Sequence, residues 1–330
     1  MEPAHPHVLV VTMGGTIASV PDEGGRDAVP RLGPDELLAS VPGADRVATV
    51  STESFRQYPS GDLTVRDVVE LAELVVEHTG RVDGVVVTQG TDTLEETSYL
   101  LDLLLDDDAP PVVLTGAMRN SGLAGADGPA NLLAALKVAA DEQARRLGPL
   151  VVFADEIHLP RFVRKLHSSS IHAFGSPNAG PVGWVTEDRV RIWLAPRRRE
   201  PVCKPGDLPV DMPSVGMVRV GLGSDPVRPE HVTGLDGVVV EAFGGGHVPA
   251  RVVESLAGIV DRMPVVMTTR TGAGEIYEST YAFPGSERDL LGRGVISGGA
   301  LDGAKARLLL TLLIASGADR DAIRHRFAAI

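Results

Sequence analysis

Short aliphatic runs alternate with longer amphipathic segments along the first part of the chain. The runs are rich in Val, Leu and Ile and are bounded by turn or polar residues, which predicts buried strands at 8–12, 47–51, 84–88, 111–115 and 150–153. Apolar residues at helical spacing predict helices over 64–78, 94–105 and 129–145, with cap or turn residues Thr64, Thr93 and Asp127 at or near their starts. The alternation of strand and helix indicates parallel βαβ units.

The pattern breaks and then restarts in the second part of the chain. Five prolines and a charge run predict an extended linker over 196–213, in which Arg197, Arg198 and Arg199 are interpreted as solvated charges. Beyond it, strands are predicted at 215–220, 237–241 and 265–268, and helices at 251–262, 303–316 and 319–328. Two further features are a hairpin pairing 183–186 with 189–194 and a candidate lid over 21–30.

The predicted fold class is therefore α/β with two domains, each a mainly parallel sheet flanked by helices. A larger, flavodoxin- or Rossmann-like N-terminal domain spans 1–195, and a smaller C-terminal α/β domain spans 214–330.

Composition narrows the classes of partner. The 330 residues carry a net charge of −13, and such an acidic surface repels nucleic acids and anionic membranes. The single cysteine, Cys203, excludes an intrachain disulfide framework. The N-terminus has no apolar signal segment and no run is long enough to cross a bilayer, so we expect a cytoplasmic protein. Neither a metal nor a cofactor is expected, and the histidines at 158, 167 and 172 lack a metal-ligand spacing.

The candidate chemistry lies in two threonine loops. The run Val8-Leu-Val-Val-Thr-Met-Gly-Gly-Thr-Ile-Ala18 places Thr16 just beyond the carboxyl end of a strand, where open α/β folds form their ligand crevices. A second loop, Thr88-Gln-Gly-Thr-Asp-Thr93, places Thr91 and Asp92 in the same way. A threonine hydroxyl becomes a nucleophile only when a neighbouring group takes its proton. Neither G-x-G-x-x-G nor a P-loop motif is present, which argues against nucleotide binding.

These segments resemble the two signature motifs of bacterial-type L-asparaginases. Thr115-Gly-Ala-Met-Arg119, Asp127-Gly-Pro-Ala-Asn-Leu132 and Ala304-Lys-Ala-Arg-Leu-Leu-Leu310 are similar to later blocks of the same family, so the resemblance spans nearly the whole chain. It implies a homo-oligomeric two-domain α/β enzyme, a dimer or tetramer, without metal or cofactor. The implied reaction hydrolyses the side-chain amide of L-asparagine by double displacement, and a side activity on glutamine stays open.

The resemblance also implies roles for individual residues. Thr16 corresponds to the nucleophile that forms an acyl-enzyme ester, and Thr91 and Lys165 to the second threonine and the lysine that pair with Asp92. Lys165 is placed from Arg161-Phe-Val-Arg-Lys-Leu166, a looser match. Ser60 is similar to the serine that holds the substrate α-carboxylate, and Asp92 to the carboxylate that binds the α-ammonium group. Backbone N–H groups near Gly90 and Thr91 are candidates to stabilise the oxyanion.

Three positions depart from the family pattern. The loop 18–32 contains no tyrosine, so the group that activates Thr16 is not assigned. Gln89 stands where histidine is usual, and Gly245-Gly246-His247 replaces an asparagine-containing segment that reaches a neighbouring subunit in the family. Two alternatives therefore stay open: a non-catalytic amino-acid sensor that keeps the Ser60 and Asp92 pocket, and the asparaginase-like subunit of a tRNA-dependent amidotransferase.

Overall fold

The computed structural model describes residues 5–21, 28–30, 33–145, 147–195 and 200–330. The chain divides into two compact units, Met1–Gly206 and Asp207–Ile330, and this division falls within the segment predicted as a linker. Residues 196–199, which include the arginine run, lie outside the described residues, and the linker itself stays a prediction. Among the helices that the structure describes, none has the length and apolar character needed to cross a membrane.

The first unit contains twelve strands and five α-helices within the described ranges. The strands are β1 (His7–Thr12), β2 (Ser19–Pro21), β3 (Ala28–Pro30), β4 (Thr49–Ser54), β5 (Gly84–Thr88), β6 (Val112–Thr115), β7 (Leu150–Phe153), β8 (Glu156–His158), β9 (Arg164–Lys165), β10 (Phe174–Gly175), β11 (Gly183–Thr186) and β12 (Arg189–Ile192). The helices are α1 (Pro34–Ala39), α2 (Ala44–Val47), α3 (Val65–Glu77), α4 (Leu94–Leu104) and α5 (Gly128–Ala139), with short 3₁₀ turns at Thr16–Ala18, Ser60–Asp62 and Glu142–Ala144.

The main sheet has the strand order β12-β11-β8-β7-β6-β5-β1-β4. Its central part, from β4 to β7, is parallel and follows the order 2-1-3-4-5 in chain sequence, which is the flavodoxin-like arrangement. The remaining strands β8, β11 and β12 are antiparallel and form one edge of the sheet. The strand order reverses between β1 and β5, so the ligand crevice of this fold class is expected beyond the carboxyl ends of those two strands.

The core forms because the parallel strands are buried on both faces. Strand residues alternate between the faces, and Val8, Val10 and Val86 join residues of α5 in one apolar cluster. Helices α3 and α4 pack against each other, and α4 also contacts β6 and β7. Neither helix contributes to that cluster, so the two cover the opposite face. The sheet, packed by helices on both faces, thus carries the loops at its carboxyl edge.

Thr64 is the one predicted cap residue whose side chain caps its helix. Its hydroxyl accepts a hydrogen bond from Asp67 N–H, and the Asp67 carboxylate accepts from Thr64 N–H, which completes a capping box at the start of α3. Thr93 and Asp127 occupy the N-cap positions of α4 and α5 without a side-chain capping bond. Both side chains instead form hydrogen bonds with the backbone of loops beside the candidate site.

Several predicted boundaries are corrected by the structure. The second predicted strand, 47–51, is displaced, because Val47 ends helix α2 and β4 covers Thr49–Ser54. The helix predicted over 129–145 ends at Ala139 and is followed by the separate 3₁₀ turn. The hairpin of β11 and β12 is confirmed as an antiparallel pair. The ends of the candidate lid pair as β2 and β3, whereas residues 22–27 lie outside the described residues.

The second unit is a smaller α/β unit with a wholly parallel sheet. Its described strands are β13 (Val215–Arg219), β14 (Gly237–Ala242), β15 (Val265–Thr269) and β16 (Ile296–Ser297), which lie in chain order. Its described α-helices are α6 (Ala250–Val260), α7 (Glu287–Gly292), α8 (Gly303–Ala315) and α9 (Arg320–Ala328). Buried valines of β14 pack with Leu256 and Val252 of α6 in its core.

Candidate active site

Three strand ends stand side by side at the carboxyl edge of the first sheet. Thr12 of β1 is in register with Thr88 of β5, which is in register with Thr115 of β6. These three threonines are buried. The Thr115 hydroxyl donates to Val152 O at 2.7 Å, so it fixes the strand edge. The loops that follow β1 and β5 therefore start at the same level and lie beside each other.

Glycines allow these loops to pack backbone against backbone. A Cβ atom at Gly15 would lie 2.2 Å from the backbone nitrogen of Gly90, and Gly15 has a φ of +90°. A Cβ atom at Gly90 would in turn lie 2.7 Å from the Ser60 hydroxyl oxygen. Because neither position can hold a larger side chain without displacing its neighbour, the glycines bring the Thr16, Thr91 and Ser60 loops together.

These loops surround a cavity of about 360 Å³ at the predicted crevice. Its lining consists of Gly15, Thr16, Pro59, Ser60, Gly90, Thr91, Asp92, Ala117, Met118, Lys165 and Ser168. Every residue that the family resemblance assigns to catalysis or substrate binding is in this set. The structure therefore brings these assigned side chains together from four separate stretches of sequence.

Lys165 joins two of the candidate residues directly. Its ammonium group donates to Thr91 Oγ1 at 2.9 Å and to Asp92 Oδ1 at 2.6 Å. The Thr91 side chain is buried, whereas that of Asp92 is 78% exposed and lies at the mouth of the cavity. Because the Thr91 oxygen accepts from the lysine, its own hydrogen remains available to donate to another group.

The backbone around Lys165 is fixed by two contacts. Strand β9, which contains Lys165, pairs with β10 so that Lys165 faces Phe174. The Glu95 carboxylate, from the first turn of α4, accepts a hydrogen bond from the Lys165 backbone N–H. Glu95 was not identified from the sequence, although its position in the second signature motif, four residues after Thr91, was a usable signal.

The segment between β6 and the first turn of α5 holds the far wall of the cavity. The Asp127 carboxylate accepts from the backbone N–H groups of Met118 and Arg119, at 3.0 Å and 2.8 Å. The buried amide of Asn131 donates to Gly116 O at 2.9 Å and accepts from Ala154 N–H at 3.0 Å. Asp127 and Asn131 therefore shape the turn that presents Ala117 and Met118.

Ser168 is a lining residue to which the sequence assigned no role. It is the first residue of a run of three serines, 168–170. The neighbouring His167 ring accepts from the backbone N–H groups of Ser169 and Ser170 through Nδ1, at 3.1 Å and 3.0 Å. His167 thus stabilises the loop that presents Ser168.

His158 lies apart from the cavity lining and is fully buried. Burial lowers the pKa of its imidazole to about 4, so the ring is neutral at physiological pH. Nδ1 lies 3.0 Å from Ser176 Oγ, whereas Nε2 lies 3.3 Å from Glu156 Oε2 without hydrogen-bond geometry. Across the described parts of the chain, no group of three His, Cys, Asp or Glu side chains is arranged to hold a metal ion.

The segment Gly245-Gly246-His247 belongs to the second unit, where it follows β14. His247 Nε2 lies 3.2 Å from Glu287 Oε2, and its ring makes edge contacts with Tyr281 and Phe283. A Cβ atom at Gly245 would lie 2.4 Å from the Tyr277 ring, so glycine is required there by close packing. Within its own unit, this segment has a structural environment of aromatic residues and one buried carboxylate.

The arrangement in the first unit can perform chemistry on a small zwitterionic molecule. Asp92 and Lys165 are the charged residues among those that line the cavity, and four residues with hydroxyl side chains, Thr16, Ser60, Thr91 and Ser168, accompany them. An exposed carboxylate at the mouth suits an ammonium group, and hydroxyl and backbone N–H donors suit a carboxylate. A hydroxyl that accepts a hydrogen bond from an ammonium group loses its proton more easily, because the positive charge stabilises the alkoxide, so the pair of Thr91 and Lys165 suits a proton relay.

Comparisons with known proteins cover nearly the full chain. Residues 7–198 match the family model described as "Asparaginase, N-terminal", and residues 214–327 match "Glutaminase/Asparaginase C-terminal domain". A protein of Bacillus licheniformis named "L-asparaginase" is 34% identical over 97% of this chain and 98% of its own length. A "Probable L-asparaginase" of Deinococcus radiodurans is 36% identical over 98% and 97%, and "L-asparaginase 2" of Escherichia coli is 32% identical over 98% and 93%.

Proposed function

The chain belongs to the asparaginase family, and from that premise we propose that it is an amidohydrolase that converts L-asparagine and water to L-aspartate and ammonia. The observation that carries the proposal is the convergence of Thr16, Ser60, Thr91, Asp92 and Lys165 on one cavity at the switch point of the sheet. The choice of asparagine as the substrate rests on the relatives named above, because their names specify asparaginase activity.

Substrate binding is proposed to use the two ends of the zwitterion. The Ser60 hydroxyl holds the α-carboxylate, and the Asp92 carboxylate holds the α-ammonium group. Fixing both groups directs the side-chain amide toward the Thr16 loop and supplies the proximity effect. The open position of Asp92 supports this assignment, because an exposed carboxylate at the mouth of the cavity can meet an entering cation.

The first chemical step is proposed to be attack by Thr16 Oγ1 on the amide carbon. The C–N bond breaks, the Thr16 proton leaves with the nitrogen as ammonia, and an aspartyl ester of Thr16 remains. Backbone N–H groups of Gly90 and Thr91 are candidate donors to the oxyanion, which lies beside the Thr16 loop because Gly15 and Gly90 are in contact. Water then attacks the ester carbonyl, which releases aspartate and restores the threonine.

Thr91 is proposed to carry the proton from Thr16 Oγ1 to the leaving nitrogen by accepting it while giving up its own, and Lys165 is proposed to assist this transfer. The Lys165 ammonium group donates to the Thr91 oxygen, so its positive charge stabilises the negative charge that develops there when Thr91 gives up its proton. Asp92, bonded to the same ammonium group, keeps the lysine directed at Thr91. This relay supplies a route for activating Thr16 that does not require a tyrosine in the loop after β1.

The test is the pair Thr16→Ala and Thr91→Ala, assayed for ammonia release from L-asparagine. We expect both to be inactive, but only proteins that retain Thr16 can form the ester. Wild-type protein quenched in acid during turnover is expected to gain the mass of one aspartyl group on the peptide that contains Thr16. Labelling of the Thr91 peptide instead, or full activity of Thr16→Ala, would overturn the nucleophile assignment.

The activity on glutamine, the oligomeric state and the cellular location are further proposals, and each has its own test. Hydrolysis of L-glutamine is a possible side activity, since one methylene changes binding by only about 1–3 kcal/mol. A homodimer or homotetramer rests on the family resemblance and is tested by light scattering, and the cytoplasmic location is tested by cell fractionation. Binding of asparagine without ammonia release by the wild-type protein would favour the sensor alternative over the enzyme.

A further inference from the structure

Thr93 occupies the N-cap position of α4 but does not cap the helix. A threonine at this position ordinarily accepts a hydrogen bond from the N–H group two or three residues later. Here the Thr93 hydroxyl makes no such bond and instead donates to the backbone oxygen of Ser60 at 2.9 Å. The side chain thus forgoes the local bond for one to a residue 33 positions earlier in the chain.

Gln89 extends this contact into the interior. Its side chain is completely buried, and Nε2 donates to Thr93 Oγ1 at 3.0 Å. Among the atoms that the structure describes, Gln89 Oε1 is buried without a hydrogen-bond partner. A buried polar atom without a partner destabilises a fold, so the residue is not explained by packing alone. What the amide does contribute is an ordered donor that leaves the Thr93 hydrogen directed at Ser60.

Ser60 is consequently held from two sides. Its carbonyl oxygen accepts from Thr93, and its side chain packs against Gly90, where a Cβ atom would lie 2.9 Å from the Ser60 Cβ atom. The Ser60 side chain is buried and lines the cavity. The position of the Ser60 hydroxyl in the cavity therefore depends on two contacts. One is the hydrogen bond from Thr93, which Gln89 orients, and the other is the packing against Gly90.

We propose that Gln89 and Thr93 are positioning residues that hold the Ser60 loop and thereby set the selectivity of the cavity for substrates with an α-carboxylate. The inference rests on the proposed function, because it takes Ser60 as the group that binds the carboxylate. Neither residue lines the cavity, so both act through Ser60 and not by touching substrate. Displacement of the Ser60 hydroxyl weakens carboxylate binding while Thr16, Thr91 and Lys165 remain in place.

The first experiment compares Thr93→Val with Thr93→Ser in the full-length protein. Valine keeps the shape of threonine but removes the hydroxyl, whereas serine keeps the hydroxyl. We expect Thr93→Val to raise KM for L-asparagine about tenfold, the effect of losing one well-made hydrogen bond, with a smaller change in kcat. Thr93→Ser should restore KM to near the wild-type value. Thr97→Val, a buried threonine one turn further along α4, is the matched control and should leave KM unchanged.

Two further measurements separate positioning from a general structural effect. 3-Aminopropanamide lacks the α-carboxylate of asparagine, so its KM should be the same in wild type and Thr93→Val. In a double-mutant cycle, Thr93→Val should add little to the KM of Ser60→Ala, because the hydroxyl that it positions is already gone. A merely structural role would raise KM for both substrates and give additive effects. Either result would overturn the proposal.

The outcomes also distinguish this proposal from the proposed function. If Thr93→Val does not fold, Gln89→Met removes the donor while filling the same buried space, and the same KM rise is expected. If wild-type protein does not hydrolyse asparagine, the proposed function fails, and the positioning role is then tested by L-aspartate binding in calorimetry. If Thr93→Val has the same Kd for L-aspartate as the wild-type protein, or if an active Thr93→Val enzyme has the same KM for L-asparagine, the positioning role alone is overturned.

Discussion

The ammonium nitrogen of Lys165 lies 2.9 Å from the hydroxyl oxygen of Thr91, although 74 positions separate the two residues in the chain. The contact forms because β9 crosses beside the start of α4, where the Glu95 carboxylate accepts from the Lys165 backbone N–H. A looser sequence match thus identified a residue that the fold places against the second threonine loop. This pair is the part of the site from which activation of the nucleophile can be tested.

Replacement of Lys165 by methionine should remove the proton relay. Methionine fills similar space without the ammonium group, and loss of an acid–base group of this kind lowers kcat by about 10²–10⁴-fold. Lys137→Met is the matched control, because the Lys137 ammonium group binds Asp188 and Glu187 O away from the cavity. Steady-state ammonia release measures both variants. Wild-type kcat in Lys165→Met would exclude the relay.

Replacement of Gly15 by alanine should disrupt the packing of the two threonine loops. The new Cβ atom would lie 2.2 Å from Gly90 N, so the Gly90 backbone must move. Gly80→Ala is the control for backbone strain without a steric clash, because Gly80 has a φ of +73° and no atom lies near its Cβ position. The strain of a left-handed alanine alone costs about 1–2 kcal/mol. We expect Gly15→Ala to destabilise the protein more than Gly80→Ala and to abolish activity. Equal thermal shifts with activity retained would contradict the contact.

The buried imidazole of His158 should make stability depend on pH. Its pKa falls from 6.5 to about 4 on folding, so between these values the unfolded chain binds more protons than the folded one. Stability is therefore complete above pH 6.5 and declines as the pH falls toward 4, by about 3 kcal/mol in total. Denaturant unfolding of His158→Gln should show a flatter pH dependence than wild type, whereas the exposed His325→Gln should not. Parallel curves for wild type and His158→Gln would refute this.

The buried carboxylate of Glu287 should give the second unit an acid-sensitive anchor. Burial opposes its ionisation, but hydrogen bonds from the backbone N–H groups of Tyr281 and Thr280 outweigh it and hold the pKa of Glu287 below the usual 4.5. A lowered carboxyl pKa contributes stability above the unfolded value, which is lost as the pH falls through the folded value. Glu287→Gln should lower the melting temperature at neutral pH and reduce the acid dependence. The exposed Glu278→Gln should change neither.

The order of strands and helices could be predicted from the sequence because local patterns determine it. Strands buried on both faces produce continuous aliphatic runs, and amphipathic helices produce a period near 3.6, so β1, β5, α3 and α8 were placed close to their observed bounds. Boundaries failed where tertiary contacts decide them. Val47, a good strand residue by propensity, ends α2, whose residues pack against α5.

Site residues could be predicted where a motif carries its own chemistry. Thr16, Thr91 and Asp92 stand in glycine-containing loops directly after strands, so their residue types and positions are visible in the chain. Glu95, Thr93 and Gln89 were not assigned positioning roles, because their importance comes from hydrogen bonds to partners between 33 and 70 residues away or to each other. A helix cap and a positioning threonine have the same sequence signature.

The sequence by itself determined the fold class and the family, and it contains the residues that we propose as nucleophile, relay and ligands for a zwitterion. Only the tertiary structure decided that they meet in one cavity, that the Lys165 ammonium group bonds both Thr91 and Asp92, and that Gly15, Gly90 and Ser60 pack without intervening side chains. The reason is physical. Secondary structure follows from patterns a few residues long, whereas a site depends on distances of about 3 Å between groups that only the packed sheet brings together.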